Sequence, residues 1–266
     1  MFGKLIKNEF RNIGKLLLLV NVIVLGMHLL SVLFEQIYTS GVLVGSVFEN
    51  IFGIFAGIYI LSILAVNIII VLVFAIRYYK KVYSVEGYLT HTLPVKKTAI
   101  YFAMLISSSV GTILTVVVSL GYPLVRIVND VLSAGNTSLD DWFKVSAEFH
   151  ITGLTYFLAA LGGVLAVFAS FALLFLCISI GQNWKAHPVA GTIIVYWLLT
   201  TALEIVGAVG IVSLAESGTS EKMFENYRLP GDIFNIMACW GIGLEFIGML
   251  IMSVLSIVIM KKKLNL

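Results

Sequence analysis

The sequence predicts an all-α integral membrane protein. It has six transmembrane helices, an N-terminal amphipathic helix at the membrane surface, and a short helix in a cytoplasmic connection. Three observations carry this reading. Of the 266 residues, 60% are hydrophobic and only 12% charged, with a mean hydropathy of +1.04; soluble domains carry roughly 25% charged residues. Six mainly apolar runs are each long enough to cross a bilayer, at about 16–34, 51–76, 99–122, 151–180, 189–214 and 236–260. Lysine and arginine gather on alternate connections between those runs. The whole chain, 1–266, reads as a single transmembrane domain.

Ahead of the first span, MFGKLIKNEFRNIGK places Phe2, Leu5, Ile6, Phe10 and Ile13 on one helical face. Lys4, Lys7, Asn8, Arg11 and Lys15 cover the other. A helix so patterned over 1–15 lies in the headgroup layer, its basic face drawn to anionic lipid. An ordinary cytoplasmic lead-in with an inside-positive bias has the same composition. The first run is longer than the apolar core of a signal peptide and lacks a small-x-small cleavage site, so it reads as a span.

The second span carries Gly53-Ile-Phe-Ala-Gly57, a GxxxG, and later spans carry Gly162–Gly163, Gly207 with Gly210, and Gly241 with Gly243. Small residues let helices approach closely where lipid is as apolar as the side chains. Packing within the chain is the expected use, with a dimer face as the alternative. The second, fourth and fifth spans exceed a perpendicular crossing and so tilt or project.

Orientation follows from the basic residues flanking the spans. With the N-terminus inside, the internal segments hold Lys4, Lys7, Arg11, Lys15, Arg77, Lys80, Lys81, Lys96, Lys97, Lys185, Lys261, Lys262 and Lys263, thirteen in all; the external ones hold Arg126, Lys144, Lys222 and Arg228. Both termini are therefore expected in the cytoplasm of a multi-pass plasma-membrane protein. The net charge of +3 is arranged along membrane edges, not as a nucleic-acid footprint.

Between the second and third spans, RYYKKVYSVEGYLTHTLPVKK over 77–97 has a plan of its own. Basic residues lead and close it. Ser84 and Glu86 suit a helix start, by capping amides and complementing the positive end. Pro94 sets a boundary after Leu93. Tyr88, Leu89 and Leu93 then form an apolar ridge that is laid on the membrane or docked in a partner's groove.

Catalytic motifs are missing from the sequence: no GxxxxGK[ST], GxGxxG, HExxH or GxSxG occurs. Cys177 and Cys239 lie inside apolar runs without metal-ligand spacing. The histidines His28, His91, His150 and His187 are scattered, and His28 reads as a packed polar residue bonded to a neighbour. Asn136-Thr137-Ser138 matches a glycosylation acceptor on the external side.

Two carboxylates fall near the bilayer midplane. Glu204 and Glu245 each lie roughly 13–15 Å below the expected outer surface at ~1.5 Å per residue. Thr192, Tyr196, Thr200 and Glu204 recur every four residues with Gly207 beside them, making a polar stripe on the fifth span. Charge at that depth normally faces a cavity or a partner. The stripe reads either as the lining of a substrate path or as hydrogen bonding between spans; for Glu245, in a Gly-rich seam, the second reading fits better.

The segment 77–97, and EGYLTHTLPV within it above all, resembles the first cytoplasmic loop of bacterial type-2 ABC exporter permeases, the six-span subunits that work with separate ATPases. The likeness extends over the whole arrangement: surface helix, six spans, both ends inside, a long first internal loop and a short second one. It implies that the short helix is a coupling helix, with Glu86, Gly87, Tyr88, Leu89, Thr90, Leu93 and Pro94 fitting a groove on the ATPase. It also implies a second permease copy, identical or related, over two ATPase subunits that hold ATP and magnesium. A cavity would then form between the permeases, lined by their second and fifth spans. Relatives carry short re-entrant helices where this chain has Ser217–Asn235, a compact segment here. The missing phosphate loop agrees with a permease that leaves nucleotide chemistry to a partner and binds no cofactor itself.

The apolar spans suit lipids, hydrophobic drugs or amphipathic peptides; the resemblance implies a cytolytic or antimicrobial peptide, a class that relatives in Gram-positive bacteria often export. The rival readings are an ion-coupled secondary transporter using Glu204 and Glu245, and a membrane scaffold or sensor.

Overall fold

The computed structural model describes residues 2–40, 45–84, 87, 95–134, 144, 147–184, 187–216 and 230–263. Six long helices hold nearly all of them: α1 Phe2–Thr39, α2 Ser46–Tyr83, α3 Lys97–Ala134, α4 Gly153–Gly181, α5 Pro188–Glu216 and α6 Pro230–Lys263. Each is long and apolar enough to cross a membrane. The protein is an all-helical, membrane-embedded chain, as its composition predicts.

The helices outrun the apolar stretches. At 38 residues, α1, α2 and α3 are each about 57 Å long, against a hydrocarbon core of roughly 30 Å. Apolar runs mark only the part that lies in hydrocarbon, and polar flanks go on being helical until something breaks them. The segment 1–15 is accordingly the beginning of α1, with no element boundary before the first span. Pro123 does not end α3, which continues to Ala134. Most of the segment 217–235 lies outside the described residues; its last part, from Pro230, already belongs to α6.

The chain forms two compact units. The first holds 1–77 and 102–133, the second 78–101 and 134–266.

In the first unit α1 turns Glu9, Ile13, Leu17, Asn21, Val24, His28 and Ser31 inward, one face at helical spacing. Leu18, Leu19, Val22 and Leu29 are more than half exposed, facing outward where lipid would lie. Polar groups line the inside because a bundle in lipid gains nothing by hiding leucine from leucine. Hydrogen bonds between spans hold it instead. Asn21 Nδ2 donates to the Leu17 carbonyl at 2.7 Å and reaches Thr115 Oγ1 on α3 at 3.5 Å. Asn67 Nδ2 on α2 donates to Ser119 Oγ on α3 at 3.0 Å. At Gly111 a Cβ would lie 2.7 Å from the Phe74 ring and 3.2 Å from Leu17, so α3 approaches α1 and α2 more closely than alanine allows.

His28 joins the three helices. Its Nδ1 lies 2.7 Å from the Tyr59 hydroxyl of α2, and its Nε2 2.9 Å from the Val118 carbonyl of α3. A carbonyl only accepts, so Nε2 carries the hydrogen; in the neutral ring Nδ1 then accepts from Tyr59. This is the packed, bonded role that the sequence suggests for it. Replacing His28 with alanine is expected to cost roughly 1–3 kcal/mol, from two interhelical hydrogen bonds and a cavity. The fall should appear as a lower denaturant midpoint of the purified protein.

The second unit is built on α4, which packs against both α5 and α6. Its C-terminal half is buried almost all round: Phe171, Ala172, Phe175, Leu176, Cys177, Ile178 and Ser179. Gly162 of α4 rests on Ile242 of α6. The other glycines singled out from the sequence correct the expectation of packing within the chain. Among the described residues, nothing lies within 4 Å of a Cβ placed at Gly53, Gly57, Gly163, Gly207, Gly210, Gly241 or Gly243. Those smooth surfaces are open.

Candidate functional site

The segment between α2 and α3 is rooted in the second unit by two tyrosines. Tyr78, near the end of α2, and Tyr101, in the first turn and a half of α3, are both 0% exposed. The Tyr78 ring stacks on Phe175 of α4 with centroids 3.9 Å apart and planes 5° from parallel. Its hydroxyl lies 3.3 Å from Ser179 Oγ of α4 and 3.3 Å from Ser256 Oγ of α6. Those serines are themselves 3.1 Å apart, and Ser179 also donates to the Phe175 carbonyl. Tyr101 meets Phe175 edge-on and donates to Ser253 Oγ of α6 at 3.2 Å. Both roots of one connection are thus locked to the same two helices by rings and buried hydroxyls.

Each hydroxyl here sits in an otherwise apolar surround, where an unpaired one is costly. Serine supplies the partners because it is small enough to let helices approach and still bonds across them. Ser253 and Ser256 are one turn apart and share the inner face of α6.

Of the residues expected to form the partner-docking helix, Gly87 is described and buried. Its N–H donates to the Ser84 carbonyl at 2.8 Å. A Cβ at Gly87 would lie 2.7 Å from the Val82 carbonyl oxygen, so the chain folds back onto the end of α2 where only glycine fits. The Ser84 hydroxyl, expected to cap amides ahead of it, donates back to the Lys80 carbonyl. Glu86, Tyr88, Leu89, Thr90, Leu93 and Pro94 lie outside the described residues.

The stripe on α5 divides. Thr192 is a packing residue: its hydroxyl donates to the Pro188 carbonyl at 2.9 Å, and its backbone and side chain press on Gly181 at the end of α4. Tyr196 is 42% exposed, the Thr200 hydroxyl is taken up by the carbonyls of Tyr196 and Trp197, and Glu204 faces outward. An 18-residue apolar stretch of α5 has no residue fully buried within the chain. Glu245, on α6, is half-buried. Among the described residues its Oε2 is enclosed without a hydrogen-bond partner. Among the described residues no hydrogen bond or ion pair joins Glu204 to Glu245, or the stripe beyond Thr192 to another helix.

Two features escape a reading of the sequence by spans. One is the Tyr78–Tyr101 anchor; the signal was there in serines recurring at one-turn spacing inside apolar runs. The other is Glu9, which the helical-wheel division of 1–15 assigns to neither face. It is 3% exposed and paired with Arg77 at 2.9 Å. Leu5, Ile6 and Phe10 flank it half-buried and Ile13 is fully buried. The chain itself thus covers much of the face expected to meet lipid.

Compared with protein-family models, curated proteins and solved structures, the chain matches none.

Proposed function

We propose that the chain is the membrane-spanning subunit of an ATP-driven exporter. It moves a hydrophobic or amphipathic substrate, best a cationic amphipathic peptide, out of the cell. Separate ATPase subunits, two copies binding ATP and magnesium, dock on the basic segment 77–97 from the cytoplasm. A second permease copy, identical or related, completes the transport path. The observation that carries this reading is the double anchor. A connection that served only to join two spans would have no need of fully buried, hydrogen-bonded tyrosines at both roots. Force applied to 77–97 is delivered through Tyr78 and Tyr101 to α4 and α6 as rigid-body movement.

The second copy is accommodated on surfaces the chain leaves open: the Gly53–Gly57 face of α2 and the exposed face of α5 with Glu204. A carboxylate in hydrocarbon costs about 2.5–3.5 kcal/mol on insertion scales, and that cost falls away when the group faces a path between copies. Basic residues on 77–97 and on 1–15 place these segments against the cytoplasmic leaflet and its anionic lipid.

One observation favours the ion-coupled carrier as a second reading, the enclosed and unpartnered Oε2 of Glu245. Energisation separates the two. Inside-out vesicles holding the complete complex should accumulate a cationic amphipathic peptide on addition of magnesium-ATP, and go on doing so when ionophores collapse every ion gradient. Uptake that follows an ion gradient and ignores ATP would replace the exporter with the carrier.

A further inference from the structure

We infer that Glu9 and Arg77 form a positioning pair that makes the start of α1 a second lever on the segment 77–97; the inference rests on the coupling role proposed above. Arg77 Nη2 lies 2.9 Å from Glu9 Oε2 and 3.4 Å from the Glu9 carbonyl oxygen. One guanidinium thus holds both the side chain and the backbone of a single turn of α1. The Glu9 side chain is 3% exposed and that of Arg77 is 20% exposed. Removing one member of a pair enclosed to that degree is costly, because the other charge stays in a low dielectric.

The position of the pair gives it its role. Arg77 immediately precedes Tyr78. Two successive residues at one root of the segment are therefore anchored to different helices, Arg77 to α1 and Tyr78 to α4 and α6. Every turn of the N-terminal stretch carries a cation, and Lys4, Lys7, Arg11 and Lys15 all stand exposed. Glu9 is the charged residue of that stretch turned inward. A helix held by lipid alone is free to roll about its axis; this one is pinned by a directional ion pair beside the buried Ile13. Movement of Arg77 is passed to α1 through the guanidinium.

The test uses the complete complex in inside-out vesicles, with Cys177→Ser and Cys239→Ser in the background and Thr92→Cys as reporter. The rate of modification by a membrane-impermeant maleimide reads how firmly the segment is held. Glu9→Arg and Arg77→Glu are each expected to raise that rate on the order of tenfold, as local opening becomes easier. Combining them, which rebuilds the pair with its charges exchanged, should return both the rate and the ATP hydrolysis lost in the single variants. Where a charge reversal blocks insertion, Glu9→Gln keeps the shape and is expected to raise the rate by a smaller factor. Unchanged labelling in the single variants, or a double variant as impaired as the singles, overturns the inference. If no ATPase accompanies the chain, the exporter reading fails while the labelling still decides whether the pair holds the segment.

Discussion

Replacing Tyr78 with alanine is expected to destabilise the protein by about 3–5 kcal/mol, the range for removing a large buried aromatic. The ring is fully enclosed and stacked on Phe175, so its loss opens a cavity at the meeting of α2, α4 and α6 and takes one hydroxyl partner from each of Ser179 and Ser256. The informative partner is Tyr78→Phe. It keeps the stack and removes only the hydroxyl, and should cost about 0.6–1.7 kcal/mol, the span measured for hydrogen bonds between membrane helices. Denaturant midpoints of the purified variants separate the two. If the hydroxyl matters for transmission as well as for packing, Tyr78→Phe will assemble with its ATPase yet transport less per ATP hydrolysed. Equal transport per ATP would reduce Tyr78 to a packing residue and remove the main support for the double anchor.

The second large effect is expected at the docking ridge. Tyr88→Asp combined with Leu89→Asp should abolish assembly with the ATPase while leaving the six helices inserted and folded. A buried docking residue contributes on the order of 1–4 kcal/mol where it is a hot spot, so losing two separates the subunits at working concentrations. Size-exclusion chromatography of the permease alone, followed by mixing with the ATPase, checks the two halves of that statement. A double variant that assembles and transports normally would make 77–97 a connector lying on the membrane surface.

How far the sequence could be read depended on what breaks the pattern. The six spans were legible because long apolar runs have one use in a chain with so little charge. Helix ends were not, because leaving hydrocarbon does not stop a helix. Pro123 removes one backbone hydrogen bond, to the carbonyl of Ser119, and α3 absorbs the loss. Which face of a span turns inward is also hard to see when leucine serves both sides. The cue lies in the minority polar residues: Asn21, His28, Asn67 and Ser119 mark the inside of the first unit, and Ser179, Ser253 and Ser256 that of the second.

The candidate site was half legible for the same reason. Its basic flanks and its turn stood out against a background poor in charge, whereas its anchors did not. Tyr78 and Tyr101 look like interfacial tyrosines until α4 and α6 are placed against them. Glu9 was hidden by the wheel itself, because a lone carboxylate among lysines reads as a neutralising surface charge until Arg77 is found beside it. The stripe from Thr192 to Glu204 shows the opposite error. Its spacing is real, yet its first member is used to close the α4–α5 turn on Gly181, and Tyr196 and Glu204 face away from the chain.

The measurement closest to the central claim is the composition of the particle that this chain forms in its native membrane. Purified in mild detergent through a tag at its C-terminus, the chain should bring down a soluble ATPase in a one-to-one ratio. That ATPase should carry its own phosphate-binding loop, and the particle should hold two copies of each subunit. Magnesium-dependent ATP hydrolysis should travel with the particle and disappear together with the ATPase in the Tyr88→Asp, Leu89→Asp variant. A particle that contains no ATPase, and that moves its cargo on an ion gradient alone, would contradict the account.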